Sequence, residues 1–369
     1  MSQVIYSGDK AYKNIKGILE KLSVKKYMLV CGKSIDKMPV MEYLDSIGIE
    51  YVRFGGFTPN PKYEEVCDGV NLFRETECEA ILAIGGGSPI DVAKCIKLYA
   101  KMGECECYLD EECFDSKIPL IAMPTTAGTG SESTRFSVIY KNDEKQSVHH
   151  DSIVPDYAIL DADVLKSLPV YQKKSTVLDA LCQAIESWWS VFSTEESKAL
   201  AKEAVCLIWK SLYDYTGDSP DKTFEDIMKG SNLAGQAINI TATTAPHAMC
   251  YKITTRYGLT HGHAVALCLP EVWEFMLKNP EKCTDKRGYE YLYEIFEEIA
   301  KALGAKNAEE APEVFRGMIE RLGMEYPKSE NRDADLIKLV GSVNVGRLSN
   351  NPVGPTREDL FEMYEKIVK

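Results

Sequence analysis

The chain has 369 residues, 45% of them hydrophobic and 27% charged. This length exceeds one ordinary core and implies two domains, and the apolar content rules against a disordered chain. The formal net charge of −13 repels phosphate backbones, so no nucleic-acid partner is expected, although a small anionic substrate needs only local positive charge.

Met1–Lys10 is too polar for the core of a signal peptide. No run approaches the ~18 apolar residues of a membrane span. The 12 cysteines therefore read as reduced thiols of a cytoplasmic protein with no membrane partner. Cys105, Cys107 and Cys113 lack a fourth metal ligand at the usual spacing and read as an acidic, cysteine-rich surface loop.

Short apolar runs at 27–31 (YMLVC), 51–54, 80–84 (AILAI), 120–123 and 158–160 alternate with helical segments. Buried parallel strands with helical crossovers have this pattern. It predicts a doubly wound α/β half that binds a ligand at the carboxyl ends of its strands. The period then changes to helical at 171–192, 195–215, 223–239, 263–278, 287–304, 310–322 and 356–368. An all-helical second domain is expected. The boundary falls near 161–169 (DADVLKSLP), giving domains 1–165 and 166–369.

The strand at 80–84 runs into Gly85, Gly86 and Gly87. Glycines let a backbone turn sharply and approach a ligand closely. Ser88 is expected as the N-cap of the next helix, Pro89 as its first residue and Asp91 three residues after the cap. The free N–H groups and dipole of such a helix start suit a pyrophosphate. Lys94 and Lys97 are expected at the surface. The turn 124–132 (PTTAGTGSE) follows another strand and offers hydroxyls and glycines for a ribose or phosphate.

Only 5 histidines occur. His247, His261 and His263 cluster, while His149 and His150 lie in a polar segment and are expected to face solvent. On the segment 178–190, Asp179, Gln183 and Glu186 form a polar stripe on an otherwise apolar helix. Such a stripe must find partners inside the protein. A carboxylate, an amide oxygen and two imidazoles would suit Fe2+, Zn2+ or Mn2+.

The motifs GGGSPIDVAK (85–94), PTTAGTGSE (124–132), VPDYAILDADV (154–164), DALCQAIES (179–187) and HGHAVAL (261–267) together resemble the iron-containing, group III alcohol dehydrogenases. The resemblance spans nearly the whole chain. It implies the dehydroquinate synthase-like architecture: an α/β dinucleotide-binding domain, a helical metal- and substrate-binding domain, and a site in the cleft between them. It assigns NAD, with NADP open, to Gly86, Gly87, Ser88, Asp91, Thr125, Thr126, Thr129 and Lys145. It assigns the divalent metal to Asp179, Gln183, His247 and His261. A homodimer is expected on the same ground.

Three departures from the family pattern stand out. Gln183 replaces the usual histidine and is a weaker donor to a transition metal. Tyr251 stands where many members carry a further histidine, so a proton relay would pass through Tyr251 or His263. Gly32 stands where some NAD-specific members carry an aspartate, and Lys33 follows it.

The resemblance is nearest to a subgroup acting on small polar or anionic aldehydes of the phosphonoacetaldehyde or sulfoacetaldehyde type. Octulosonate-type sugar acids are an alternative. Lys252, Arg135, Arg256 and Arg347 are the candidate cations for an anionic tail. A dehydroquinate-synthase-like cyclase and a non-catalytic nucleotide sensor are the competing readings.

Overall fold

Continuous apolar runs become strands buried on both faces. The computed structural model describes residues 3–103, 105–142, 144–217, 222–343 and 345–369, apart from the side chains of 345–347. The chain divides into two units, Met1–Leu168 and Pro169–Lys369. In the first, the strands and α-helices run β1 (Val4–Ser7), α1 (Asn14–Lys21), β2 (Lys26–Cys31), α2 (Pro39–Ser46), β3 (Glu50–Phe54), α3 (Tyr63–Glu75), β4 (Ala80–Gly85), α4 (Gly87–Tyr99), β5 (Leu120–Pro124), β6 (Phe136–Lys141), β7 (Glu144–His149) and β8 (Tyr157–Leu160).

Six strands form a parallel sheet in the order β1-β8-β5-β4-β2-β3. Side chains alternate between its faces. Met28, Val30, Ile81, Ala83, Leu120 and Ala122 pack with α3 and α4. Tyr27, Leu29, Leu82, Ile84, Ile121 and Met123 pack with α1 and α2. The sequence pattern does not mark β1, an edge strand that leaves Val4 and Ile5 exposed. Nor does it mark the antiparallel pair β6–β7: β7 is polar, and β6 has only Val138–Tyr140 consecutively apolar and is buried on alternate residues.

The strand order reverses between β2 and β4. The chain leaves β2 toward α2 on one face and leaves β4 toward α4 on the other. The loops after these neighbouring strands therefore diverge and open a crevice, the general place for a ligand in such sheets.

Lys94 and Lys97 are not surface residues. Lys94 is fully buried, and its Nζ donates to Ser131 Oγ (3.0 Å), Thr134 Oγ1 (3.0 Å) and the Phe136 carbonyl (2.7 Å). Burial lowers its pKa to about 8 despite the Asp91 and Glu132 charges. Lys97 pairs with Asp156 at 2.9 Å. Helical periodicity reads both as long polar side chains. It cannot show that the start of β6 meets Lys94 or that Asp156 meets Lys97.

The second unit is helical: α5 (Val170–Trp189), α6 (Glu195–Thr216), α7 (Lys222–Thr241), α8 (Ala245–Tyr257), α9 (His261–Lys278), α10 (Tyr289–Ala302), α11 (Ala311–Arg321), α12 (Arg332–Ser342) and α13 (Arg357–Ile367). Helices α8 and α12 lie outside the segments expected from periodicity, since neither shows a clean apolar stripe. No helix of the described residues is long and apolar enough to cross a membrane.

Lys94→Met should destabilise the first unit by about 3 kcal/mol, because it strips the cation from a buried polar network. Urea unfolding followed by circular dichroism reads this as an earlier transition. An unchanged midpoint would show that the network contributes nothing.

Candidate active site

In the first unit, β4 ends at Gly85, whose φ of +153° and close approach both require glycine: a Cβ there would lie 2.5 Å from Pro89 Cγ. Helix α4 starts two residues earlier than expected. Gly86 rather than Ser88 is its N-cap, with no side chain capping it. The cap residue thus offers no side-chain acceptor of its own to the first N–H groups of the helix, which suits an anionic ligand. Ser88 instead donates its hydroxyl to the Pro59 carbonyl.

The threonine turn packs directly on this glycine turn. Thr125 N donates to the Gly85 carbonyl at 2.8 Å. A Cβ on Gly86 would meet Thr126 Oγ1 at 3.4 Å, and one on Gly87 would meet Thr129 Cγ2 at 3.1 Å. So Gly86, Gly87, Thr125, Thr126 and Thr129 converge. The Asp91 carboxylate accepts from Ser131 Oγ (2.6 Å), near the end of the threonine turn, and from Val138 N (3.0 Å). Burial raises its pKa, against the opposing charges of Lys94 and Lys145. Lys145, on β7, is thus placed within electrostatic range of the start of α4.

In the second unit, three helices bring one ligand atom each to a common point. Asp179 lies on α5, His247 in the first turn of α8 and His261 at the first residue of α9. Their candidate ligand atoms lie within 4.8 Å of one another. Asp179 Oδ1 is 3.3 Å from His247 Nε2 and 3.8 Å from His261 Nε2. Gln183, buried one turn after Asp179, interacts with its carboxylate. Burial would raise the Asp179 pKa, but His261, His247 and Gln183 more than offset it and hold the group ionised.

Burial would likewise lower His247. The carboxylates of Glu186 and Asp179 instead hold its pKa at about 9. Its Nδ1 meets Glu186 Oε1 at 2.5 Å, so Nε2 is left to face Asp179. His261 is the open member, with 37% of its side chain exposed against 6% for His247. An oxygen and two imidazole nitrogens from rigid helices fit a transition metal or zinc, and the exposed edge leaves room for a substrate. Among the described residues no cysteine joins such a group.

Tyr251 stacks on His261, with ring centroids 5.6 Å apart and planes 18° from parallel. His263 faces elsewhere: its Nδ1 lies 3.0 Å from the Tyr171 hydroxyl, and burial lowers its pKa. Of the candidate cations, Arg256 pairs with Asp335 at 3.0 Å and Arg135 with Asp151 at 3.0 Å. Lys252 is exposed on α8. The side chain of Arg347 lies outside the described residues.

Gly262 is a site residue that sequence reasoning passed over. A Cβ there would lie 2.0 Å from the Ser175 carbonyl and 2.8 Å from Asp179 Cβ. The first turn of α9 can approach α5 only because this residue has no side chain. The signal was present: one glycine between two histidines. The loop at 348–352 also has a structural part, since buried Asn351 accepts from Ala245 N (3.4 Å) at the start of α8.

Residues 2–162 match the family described as iron-containing alcohol dehydrogenase, and 173–368 match its C-terminal domain. The chain belongs to the iron-containing alcohol dehydrogenase family. It is 31% identical to an alcohol dehydrogenase of Thermococcus barophilus, over 88% of this chain and 86% of that one. It is 33% identical to an NADPH-dependent butanol dehydrogenase of Clostridium saccharobutylicum, over 72% and 70%. The structure of sulfoacetaldehyde reductase from Bifidobacterium kashiwanohense in complex with NAD+ superposes with a TM-score of 0.87 at 27% identity, covering 99% of this chain and 96% of that one. As an iron-containing alcohol dehydrogenase, the protein is an NAD(P)-linked oxidoreductase that uses a divalent metal. The cyclase and nucleotide-sensor readings give way to this membership.

Gly262→Ala should push His261 away from Asp179 and cut bound metal at least tenfold with α9 still formed. Metal analysis of the purified variant reads this directly, and wild-type metal content would contradict it.

Proposed function

We propose that the protein interconverts a small polar aldehyde and its alcohol, with the metal held by Asp179, Gln183, His247 and His261. The observation that carries this reading is the convergence of Asp179, His247 and His261 with one exposed edge. The bound metal supplies Lewis acidity toward a carbonyl oxygen and the reduced nicotinamide supplies hydride. The protein's own residues do the rest. The Gly86–Gly87 turn, with Thr125, Thr126, Thr129 and Lys145, holds the dinucleotide. Tyr251, against His261, is placed to pass a proton between solvent and the nascent hydroxyl. His263 would act only through Tyr171.

An anionic tail on the aldehyde is the finer reading. Arg256 and Arg135 are engaged by carboxylates, so exposed Lys252 is the candidate cation on α8. A sugar-acid alcohol would use the same cation. All 12 cysteines are free thiols, which supports a reducing, cytoplasmic setting.

Cofactor preference follows from the loop after β2. Gly32 and Lys33 present no acid at the start of this loop, and Asp36 further along it is paired with Arg53, which also donates to the Gly32 carbonyl at 2.8 Å. A carboxylate at this place would bind the ribose hydroxyls and repel a 2′-phosphate. NADPH should therefore be accepted, and Gly32→Asp should shift kcat/KM toward NADH by about tenfold, ~1.4 kcal/mol. Oxidation of NADH and NADPH with short aldehydes, bearing or lacking sulfonate, phosphonate or carboxylate tails, tests both points. Asp179→Ala should abolish turnover of every aldehyde. Full activity in that variant, or no aldehyde reduced by the wild type, would refute the reading.

A further inference from the structure

We propose that Glu186 is a positioning residue for the metal, fixing His247 as a strong Nε2 donor and so offsetting the weak donor Gln183. This inference rests on the metal reading above. Glu186 follows Asp179 by two helical turns, so both carboxylates lie on one side of α5. Glu186 is completely buried. Each of its oxygens is engaged. Oε1 accepts from His247 Nδ1 at 2.5 Å, and Oε2 accepts from Thr244 N at 2.7 Å and Thr244 Oγ1 at 2.9 Å.

These contacts give the carboxylate two grips on one helix. Thr244 is the N-cap of α8, and His247 lies three residues further on. Trp189 Nε1 donates to Thr244 Oγ1 at 3.0 Å, which turns the threonine hydroxyl toward Glu186. Because Oε1 can only accept, Nδ1 must carry the ring proton. The lone pair of the neutral ring is then on Nε2, the atom facing Asp179 at 3.3 Å. A carboxylate behind an imidazole also raises its basicity toward a metal.

His261 Nδ1 lies 3.5 Å from the Cys250 thiol, a weak hydrogen-bonding group, and its side chain is part-exposed. The strong, buried half of the donor set is therefore Asp179 with the Glu186-backed His247. Gln183 contributes a neutral amide oxygen, which binds a transition metal less well than the imidazole usual in the family. The carboxylate behind His247 compensates from the other side of the ring.

Glutamine at 186 keeps the shape but cannot make the same set of bonds. If its oxygen accepts from Thr244, its amide group faces Nδ1. The ring proton must then move to Nε2, where it blocks the metal.

The test is chelator competition for Co2+ with the full-length protein, alongside the visible Co2+ absorption and the melting of the metal-free chain. Glu186→Gln should weaken Co2+ binding about 10–100-fold and alter the spectrum, with the metal-free melting curve retained. Adding Gln183→His should recover part of the lost affinity, and the loss caused by Glu186→Gln should be smaller in the Gln183→His background than in the wild type, which a purely structural role for Glu186 would not give. Wild-type affinity in Glu186→Gln, or no recovery in the double variant, overturns the proposal. Should Glu186→Gln fail to fold, Thr244→Val is read instead: it keeps the carboxylate but loosens it, and severalfold weaker binding is expected. Unchanged affinity there also overturns the proposal. A wild-type chain that binds no Co2+ would defeat the metal reading itself, a distinct result.

Discussion

One imidazole held between two buried carboxylates sets the character of the second unit. His247 has Asp179 on one nitrogen and Glu186 on the other. Burying two such charges is costly unless the geometry is good and the remaining lone pairs are met. Here the remaining lone pairs of Glu186 are met by Thr244, and Asp179 is faced by His261 and Gln183. The surrounding fold serves this arrangement. Helix α5 is buried along most of its length, Gly262 lets α9 touch it, and Asn351 steadies the start of α8. A cation at the point where Asp179, His247 and His261 converge would balance the local negative charge.

The first unit places a different element at its crevice: β4 ends in a turn without side chains, Gly85–Gly87, at the reversal of strand order. The buried Lys94 network then ties the following helix to the hairpin β6–β7. Asp91 belongs to that network through Ser131 and Val138.

Much of this was legible in the sequence because burial on both faces leaves continuous apolar runs. The strands β2, β4, β5 and β8 were visible for that reason, and the edge strand β3 through Tyr51, Val52 and Phe54 although Glu50 and Arg53 are exposed, as were the helices with strong apolar stripes. The edge strand β1, the hairpin β6–β7 and helices α8 and α12 were not, because their apolar content is sparse or one-sided. The candidate cluster of Asp179, His247 and His261 was legible through scarcity: few histidines, and a polar stripe on an apolar helix. What residue types and spacing alone could not show was direction. His261 and His263 look alike in the motif and only the family resemblance separates them; one meets Asp179 and the other Tyr171. Ser88 looked like a cap, and the bare glycine Gly86 took that place. Glu186 was visible in the stripe, but its partners lie 58 and 61 residues away.

The most direct measurement of the central claim is metal-edge X-ray absorption on the full-length protein loaded with Zn2+ or Fe2+. The account predicts a shell of nitrogen and oxygen at about 2.0–2.2 Å, with the outer scattering of two imidazoles. A sulfur shell near ~2.3 Å would place the metal on the cysteines and contradict it, as would the absence of imidazole scattering.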